Sequence, residues 1–206
     1  MIAIVDYGAC NLNSVKKAFD HLGAEVTVSA NSETVAAADK VVLPGVGHFS
    51  ALAALDRAGL REALMKGIFT GKPFLGICLG MQWLFDGSEE APNIAGAGVF
   101  PGSCRQFPTQ VKSPHVGWNS LAVLGPSPSE PPPSGESRLL RCLPTDSFVY
   151  FTHSFHAPVT ESTSATTEYG VPFSAAVERD NIFGVQFHPE KSGTAGLMIL
   201  KNFCEA

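Results

Sequence analysis

The chain has 206 residues, 45% of them hydrophobic and 16% charged, which is enough apolar sequence to bury a core without metals or disulfides and too little charge for a disordered chain. A formal net charge of -5 with no run of Lys or Arg removes the electrostatic basis for binding nucleic acid, and no unpunctuated apolar stretch reaches membrane-spanning length. Five cysteines, Cys10, Cys78, Cys104, Cys142 and Cys204, are odd in number, scattered and never in a CxxC pair, which argues against a disulfide framework and a zinc site.

With no basic leader in residues 1–6, a cytoplasmic protein is expected, built as one domain spanning 1–206. Residues 2–6 read as a short apolar strand, 13–22 as a helix with Val15, Ala18, Phe19 and Leu22 at helical spacing, and 25–29 and 40–43 as strands. Gly23 stands where a helix C-cap is expected. Short apolar strands alternating with amphipathic helices point to βαβ units and a largely parallel sheet. A second unit follows: one helix over 50–70, the breaker Gly71-Lys72-Pro73, a strand at 74–77, and a helix from Cys78 to Asp86. Beyond Gly96, shorter β-rich segments at 99–107, 121–124, 147–155, 174–179 and 182–187 predict added mixed or antiparallel strands. Residues 193–203 close the chain as a helix. Residues 125–135 hold five prolines among serines, a composition that can neither join a ladder nor bury a face, and read as an exposed loop.

The strongest local signal is Phe74-Leu75-Gly76-Ile77-Cys78-Leu79-Gly80-Met81-Gln82. An apolar strand runs into a cysteine flanked two residues either side by glycine, then into a helix, as in a nucleophile elbow. A thiol at a helix N-terminus meets free backbone N–H groups and the positive end of the helix dipole, which favour thiolate. By itself the pattern leaves open a merely buried core cysteine.

Near the C-terminus, Gly184-Val185-Gln186-Phe187-His188-Pro189-Glu190-Lys191-Ser192 ends an apolar strand in a His and a Glu two residues apart. In extended geometry both side chains leave the same side, so Glu190 could hold the imidazole of His188 while His188 exchanges a proton with Cys78. A solvated strand end is the alternative for a lone His-x-Glu. Functional loops gather at the carboxyl ends of parallel strands, so distance in sequence is no obstacle to a Cys78, His188, Glu190 triad.

Acyl transfer also needs donors for the developing oxyanion, each worth about 2.7–4 kcal/mol. Val42-Leu43-Pro44-Gly45-Val46-Gly47 is a candidate turn, with glycines that permit positive φ, and the N–H of Leu79 is the natural second donor. Alone, such a turn is weak evidence.

With these pieces, the sequence resembles the class I glutamine amidotransferases, in which an oxyanion turn, a GxCLGxQ elbow and a late HPE segment occur in this order. More narrowly it is similar to the glutaminase subunits of imidazole glycerol phosphate synthases. Further stretches carry that likeness: Val5-Asp6-Tyr7-Gly8, Ser88-Glu89-Glu90, His115-Val116-Gly117-Trp118-Asn119 and Tyr150-Phe151-Thr152-His153-Ser154-Phe155. The resemblance covers nearly the whole chain. It implies a flavodoxin-like α/β fold, a three-layer α/β/α sandwich around a mixed, mainly parallel central sheet.

The resemblance also implies a Cys78, His188, Glu190 triad hydrolysing L-glutamine. Gln82 and Glu90 would bind the amino end of the substrate, and the backbone around Gly45, Val46, Gly47, Leu79, His153 and Ser154 would frame the rest of the pocket. No cofactor and no metal is implied. The implied partner is a (β/α)8-barrel cyclase, bound as a heterodimer near Trp118, Tyr150 and Lys191, which receives ammonia through a dry channel. A peptide flip near Gly45-Val46, biased by that partner, is the expected switch. Three positions depart from the family pattern: Cys10 where Gly is usual, His48 where a small residue is common, and Phe155 for a frequent Tyr. Three rivals remain at this level: a subunit that kept the fold and lost the reaction, a glutaminase serving another synthase, and a cysteine peptidase on a related fold.

Overall fold

A computed structural model describes residues 1–8, 11–124, 137–144 and 146–206. In chain order come β1 (Ile2–Val5), α1 (Leu12–His21), β2 (Val26–Ser29), α2 (Ser32–Ala37), β3 (Lys40–Gly45), α3 (Ala53–Arg57), α4 (Leu60–Phe69), β4 (Phe74–Cys78) and α5 (Leu79–Trp83). They are followed by β5 (Gly87–Ser88), β6 (Ser103–Gln106), β7 (His115–Ser120), β8 (Ala122–Val123), β9 (Phe148–His153), β10 (Phe155–His156), β11 (Thr163–Glu168), β12 (Pro172–Arg179), β13 (Ile182–Val185) and α6 (Gly193–Glu205). Position 10 and the proline-rich segment 125–135, both singled out in the sequence, lie outside the described residues.

Among the described residues the main sheet has the order β2-β1-β3-β4-β13-β12-β11-β8. Its first five strands are parallel and the last three antiparallel. Alternation along each strand divides the core in two. Ile2, Ile4, Val42, Leu75 and Ile77 pack with Val15 and Phe19 of α1 and Leu200 and Phe203 of α6. Ala3, Val5, Val41, Leu43 and Phe74 pack on the other side with Val35 of α2, Leu55 of α3 and Leu60, Leu64 and Ile68 of α4. Strands buried on both faces are the mark of a parallel sheet covered by helices, and the architecture is the three-layer α/β/α sandwich that the sequence predicts. Two smaller sheets, β10-β6-β5 and the antiparallel pair β7-β9, complete the fold. No described helix is long and apolar enough to cross a membrane.

Gly23 does end α1: at φ 73° it lets its own N–H reach the Asp20 carbonyl and that of Ala24 reach Phe19, closing the last turn. The helix expected over 50–70 is broken in two, because Gly59 adopts φ 64° between α3 and α4. A 3-10 turn at Phe49–Leu52 precedes them. Helix α2 was not expected; its signal is Asn31, whose side chain caps the N–H of Thr34 at 2.9 Å. Strands β7 and β11 also go beyond the sequence expectation. The polar face of β11 is buried through hydroxyl pairs, with Thr163 Oγ1 2.7 Å from Ser174 Oγ and Thr167 Oγ1 donating to the Ser120 carbonyl at 2.9 Å. Of the segment 99–107, only Ser103–Gln106 is a strand, and α5, expected to end by Asp86, ends at Trp83.

Candidate active site

The carboxyl ends of β3, β4 and β13 lie side by side. Cys78 sits at the corner where β4 becomes α5, with φ 54° and ψ -107°, a backbone conformation that L-residues rarely adopt. The flanking glycines permit this corner by allowing close approach. A Cβ on Gly80 would lie 1.8 Å from the Leu43 carbonyl oxygen, and one on Gly76 would lie 2.5 Å from the Gly80 carbonyl oxygen. Gly45 lies opposite Cys78 in the β3–β4 ladder, and a Cβ there would meet Leu79 Cβ at 2.7 Å. Backbone strain of this kind persists only where its surroundings enforce it, and it gathers at functional sites.

Because Ile77 faces Val185 in the parallel β4–β13 pair, the segment that follows β13 is carried past Cys78. His188 Nδ1 lies 2.8 Å from Glu190 Oε1, with both side chains almost wholly buried. The sequence argument placed the two on one side of an extended strand. The structure joins them differently: His188 stands at the N-cap position of a 3-10 turn at Pro189–Lys191, without a side-chain bond to that turn, and the turn brings the Glu190 carboxylate to Nδ1. Ser192 ties the turn to β9, donating to the His188 carbonyl at 2.6 Å and accepting from the Tyr150 N–H at 3.0 Å.

Burial disfavours the His188 imidazolium, but hydrogen bonding and charge interaction with Cys78 and Glu190 outweigh it and push the pKa up to about 10. With Nδ1 committed to Glu190, Nε2 is the nitrogen left for the sulfur. Among the described residues Nε2 makes no hydrogen bond within the usual geometric limits, so the interaction with Cys78 that favours the imidazolium is not a fully formed bond.

Above the sulfur lies a cavity of about 280 Å³, lined by Gly47, Cys78, Leu79, Gln82, Glu90, Pro114, Thr152, His153, Ser154 and Phe155. This is just below the range of about 300–1,000 Å³ common for drug-sized ligands, and suits an amino acid better than a nucleotide. Among the described residues Glu90 is the one carboxylate on its wall, held by the Phe49 N–H at 2.7 Å. Gln82 Nε2 donates to the Phe155 carbonyl at 2.8 Å and to Gln186 Oε1 at 3.1 Å. Both amide hydrogens are thus used, and Gln82 can offer a ligand only an acceptor oxygen.

One wall is set by neutral histidines. His153 Nδ1 donates to the Phe155 carbonyl at 2.8 Å, so its Nε2 accepts from His115 Nδ1 at 3.2 Å, and His115 Nε2 lies 3.4 Å from the Asn119 amide nitrogen. Burial lowers the pKa of His153 to about 3 and that of His115 to about 4.

Of the residues picked from sequence, Gly47, Cys78, Leu79, Gln82, Glu90, His153 and Ser154 meet at the cavity. His188 and Glu190 are buried and do not line it. Gly45 packs beneath the elbow, and Val46 is 36% exposed and does not line the cavity. His48, a possible false base, instead turns to Ser50, accepting from its N–H at 3.2 Å and capping the 3-10 turn. Sequence reasoning missed Pro114, Thr152 and Phe155 as walls, and Gln186 as a neighbour of the sulfur, with Nε2 3.6 Å from Sγ. The signal for Gln186 was its register: it is one residue past Val185, where the sheet must bring it level with Cys78.

A sandwich of this topology, with a strained cysteine at the strand ends on the floor of a small cavity, has the form of an α/β enzyme. The chain belongs to the class-I glutamine amidotransferase family, whose model matches residues 3–206. Among its relatives is the imidazole glycerol phosphate synthase subunit HisH of Methanothermobacter thermautotrophicus, 47% identical over 100% of this chain and 98% of that one. The HisH subunit of Chlorobium luteolum is 46% identical, with 100% of both chains covered. A solved structure described as a glutamine amidotransferase superposes with a TM-score of 0.74 over 100% of this chain and 98% of that one; at 18% identity it speaks for the fold alone.

Proposed function

We infer that the chain is the glutaminase subunit of an imidazole glycerol phosphate synthase in histidine biosynthesis, and we propose that its reaction runs through Cys78, His188 and Glu190. The observation that carries the chemistry is the strained corner that holds Cys78 at the floor of the cavity, with a buried, Glu190-bound imidazole beside it.

In this mechanism the Cys78 thiolate attacks the side-chain carbonyl carbon of L-glutamine, forming the C–S bond and moving an electron pair onto oxygen. The N–H of Leu79 and a peptide N–H of the turn Gly45-Val46-Gly47 receive that oxyanion. Collapse breaks the C–N bond, and the leaving nitrogen takes the proton of His188 and departs as ammonia. Water, giving its proton to His188, then attacks the thioester, and glutamate leaves as the C–S bond breaks. Glu190 stabilises the imidazolium and fixes its tautomer. The Glu90 carboxylate and the Gln82 oxygen, both acceptors on the cavity wall, suit the substrate's ammonium group, and the backbone of His153 and Ser154 frames the remainder.

We further propose that the whole chain works as one domain in the cytoplasm, where thiols such as those of Cys78, Cys104, Cys142 and Cys204 stay reduced. Its partner in the proposed heterodimer is a (β/α)8-barrel cyclase seated on the outer face of β7-β9. That face carries Val116, Trp118 and Phe148, each more than half exposed, with Trp118 edge-on to Tyr150 and Lys191 Nζ 5.7 Å from the Tyr150 ring centre. Contiguous exposed apolar side chains mark interaction surfaces. Thr152 belongs to the same face and also lines the cavity, which gives ammonia a short way out toward the partner. Gating by a peptide flip at Gly45-Val46 fits the exposed position of Val46 outside the cavity.

The test is Cys78→Ala with the cyclase and its nucleotide present. Glutamate production is expected to vanish, and turnover that survives rules the nucleophile out.

A further inference from the structure

The Cys78 sulfur has a neighbour that the mechanism above does not use. The side chain of Gln186 is wholly buried, and its carboxamide can stand only one way round. Oε1 accepts from Gln82 Nε2 at 3.1 Å, so Nε2 is the end that faces the sulfur, at 3.6 Å. Gln82 is fixed in turn by the Phe155 carbonyl at 2.8 Å. Turning over the Gln82 amide would set its oxygen against two other oxygens, and turning over Gln186 would set oxygen against sulfur and nitrogen against nitrogen.

We propose that Gln186 belongs to the reacting centre: its N–H donates to the Cys78 sulfur, stabilises negative charge there, and joins the nucleophile to the substrate-binding amide of Gln82. The proposal rests on Cys78 being the nucleophile. A hydrogen bond to an ionised acceptor is stronger than one to a neutral acceptor, and the effect is largest where water is excluded. A neutral amide can therefore favour thiolate beside His188 without adding a second positive charge that would compete with the imidazolium. The bond weakens once the sulfur carries the acyl group and regains strength as the thiolate leaves, so it assists deacylation as well. Gln186 exchanges no proton in either step. Through Gln82, a substrate ammonium seated against Oε1 polarises the Gln82 amide and strengthens the bond to Gln186 Oε1. Substrate binding and charge on the sulfur are coupled by two hydrogen bonds.

The experiment follows alkylation of Cys78 by iodoacetamide in the full chain, read by peptide mass spectrometry so that the other cysteines do not contribute. It runs from about pH 5 to about pH 10, where thiolate and not thiol reacts. Gln186→Met, which keeps the bulk and removes the donor, is expected to move the midpoint up by about one pH unit, leaving about tenfold less thiolate at lower pH. Gln186→Glu, which puts a carboxylate oxygen where the donor was, is expected to move it further. A midpoint unchanged in a folded Gln186→Met variant overturns the proposal.

A second measurement needs no change at Gln186. In the wild-type chain with 15N-labelled glutamine side chains, one amide pair should shift with the alkylation midpoint and cease to do so in Cys78→Ala. If no pair behaves in this way, the proposal fails. The two ideas fail separately: glutamine turnover in Cys78→Ala removes the nucleophile, whereas an inactive Cys78→Ala with an unmoved midpoint in Gln186→Met removes only the role of Gln186.

Discussion

Gly80 and Leu43 stand so close that a Cβ on Gly80 would lie 1.8 Å from the Leu43 carbonyl oxygen. Backbone cannot yield as a flexible side chain can, so Gly80→Ala is expected to cost about 3 kcal/mol or more, at or beyond the usual range for overpacking. Urea unfolding measures it, and a loss below about 1 kcal/mol would show that the elbow tolerates far more movement than the contact implies.

Cys78 itself carries strain at φ 54°. Removing the sulfur as Cys78→Gly should therefore leave a more stable protein than Cys78→Ala, by about 1 kcal/mol, the reverse of the usual order within regular structure. Equal melting temperatures for the two variants would mean that the corner stores no strain.

Glu190 raises the pKa of His188 by hydrogen bond and charge, together with Cys78 and against the opposing effect of burial. The folded state holds this proton more tightly than the unfolded chain. The contribution to stability is then full below the ordinary value of about 6.5 and is lost as pH rises through about 10. In the proposed mechanism the same deprotonation takes away the acid that the leaving nitrogen needs. In the complex with partner, glutamine hydrolysis is expected to fall above about pH 10, and Glu190→Gln should move that alkaline limb lower and reduce kcat by about 10²–10⁴-fold. An alkaline limb unmoved by the substitution would exclude Glu190 as the partner of the proton donor.

His115 and His153 titrate in the opposite sense. Each is neutral when folded and takes a proton when unfolded, so stability holds above about pH 6.5 and declines as pH falls toward about 4 for His115 and about 3 for His153. His115 lies nearly flat between Phe151 and Tyr169, with ring centres 4.8 and 4.0 Å away, so Phe fits its shape. His115→Phe is expected to lose about 1–2 kcal/mol at pH 7, because His153 Nε2 is left unpaired. Between pH 6.5 and about 4 it should lose less than the wild type does. Parallel acid limbs in urea titrations of the two proteins would contradict the assignment.

Trp118 is 54% exposed and makes its ring contact with Tyr150, so Trp118→Ala should leave the isolated chain folded. Binding to the proposed cyclase partner is expected to weaken by about 2 kcal/mol, roughly 30-fold, as for an aromatic anchor near the centre of an interface. Calorimetric titration giving an unchanged affinity would place the interface elsewhere.

Local pattern made much of this legible. Short apolar runs at 2–6, 40–43 and 74–77, separated by helical patterns, announced a largely parallel sheet, and the glycines around Cys78 announced a sharp corner, because close approach and unusual backbone leave no other residue type. The Thr- and Ser-rich β11 was illegible for the converse reason. Its hydroxyls are buried by partners on β12 and at the end of β7, and no property of the segment alone names those partners. The break at Gly59 was equally hidden, since an isolated glycine inside a helical pattern is tolerated and does not by itself end the helix.

The sequence by itself determined which residues could carry the chemistry, since reactive side chains and the turns that present them are local properties. Only the tertiary structure decided what surrounds the sulfur. Register in the β4–β13 pair set Gln186 against Cys78, a 3-10 turn rather than an extended strand delivered Glu190 to His188, and Pro114, Thr152 and Phe155, from separate segments, closed the cavity. Neighbours across a sheet are chosen by how two hydrophobic faces are buried together, and that choice belongs to the whole chain rather than to any stretch of it.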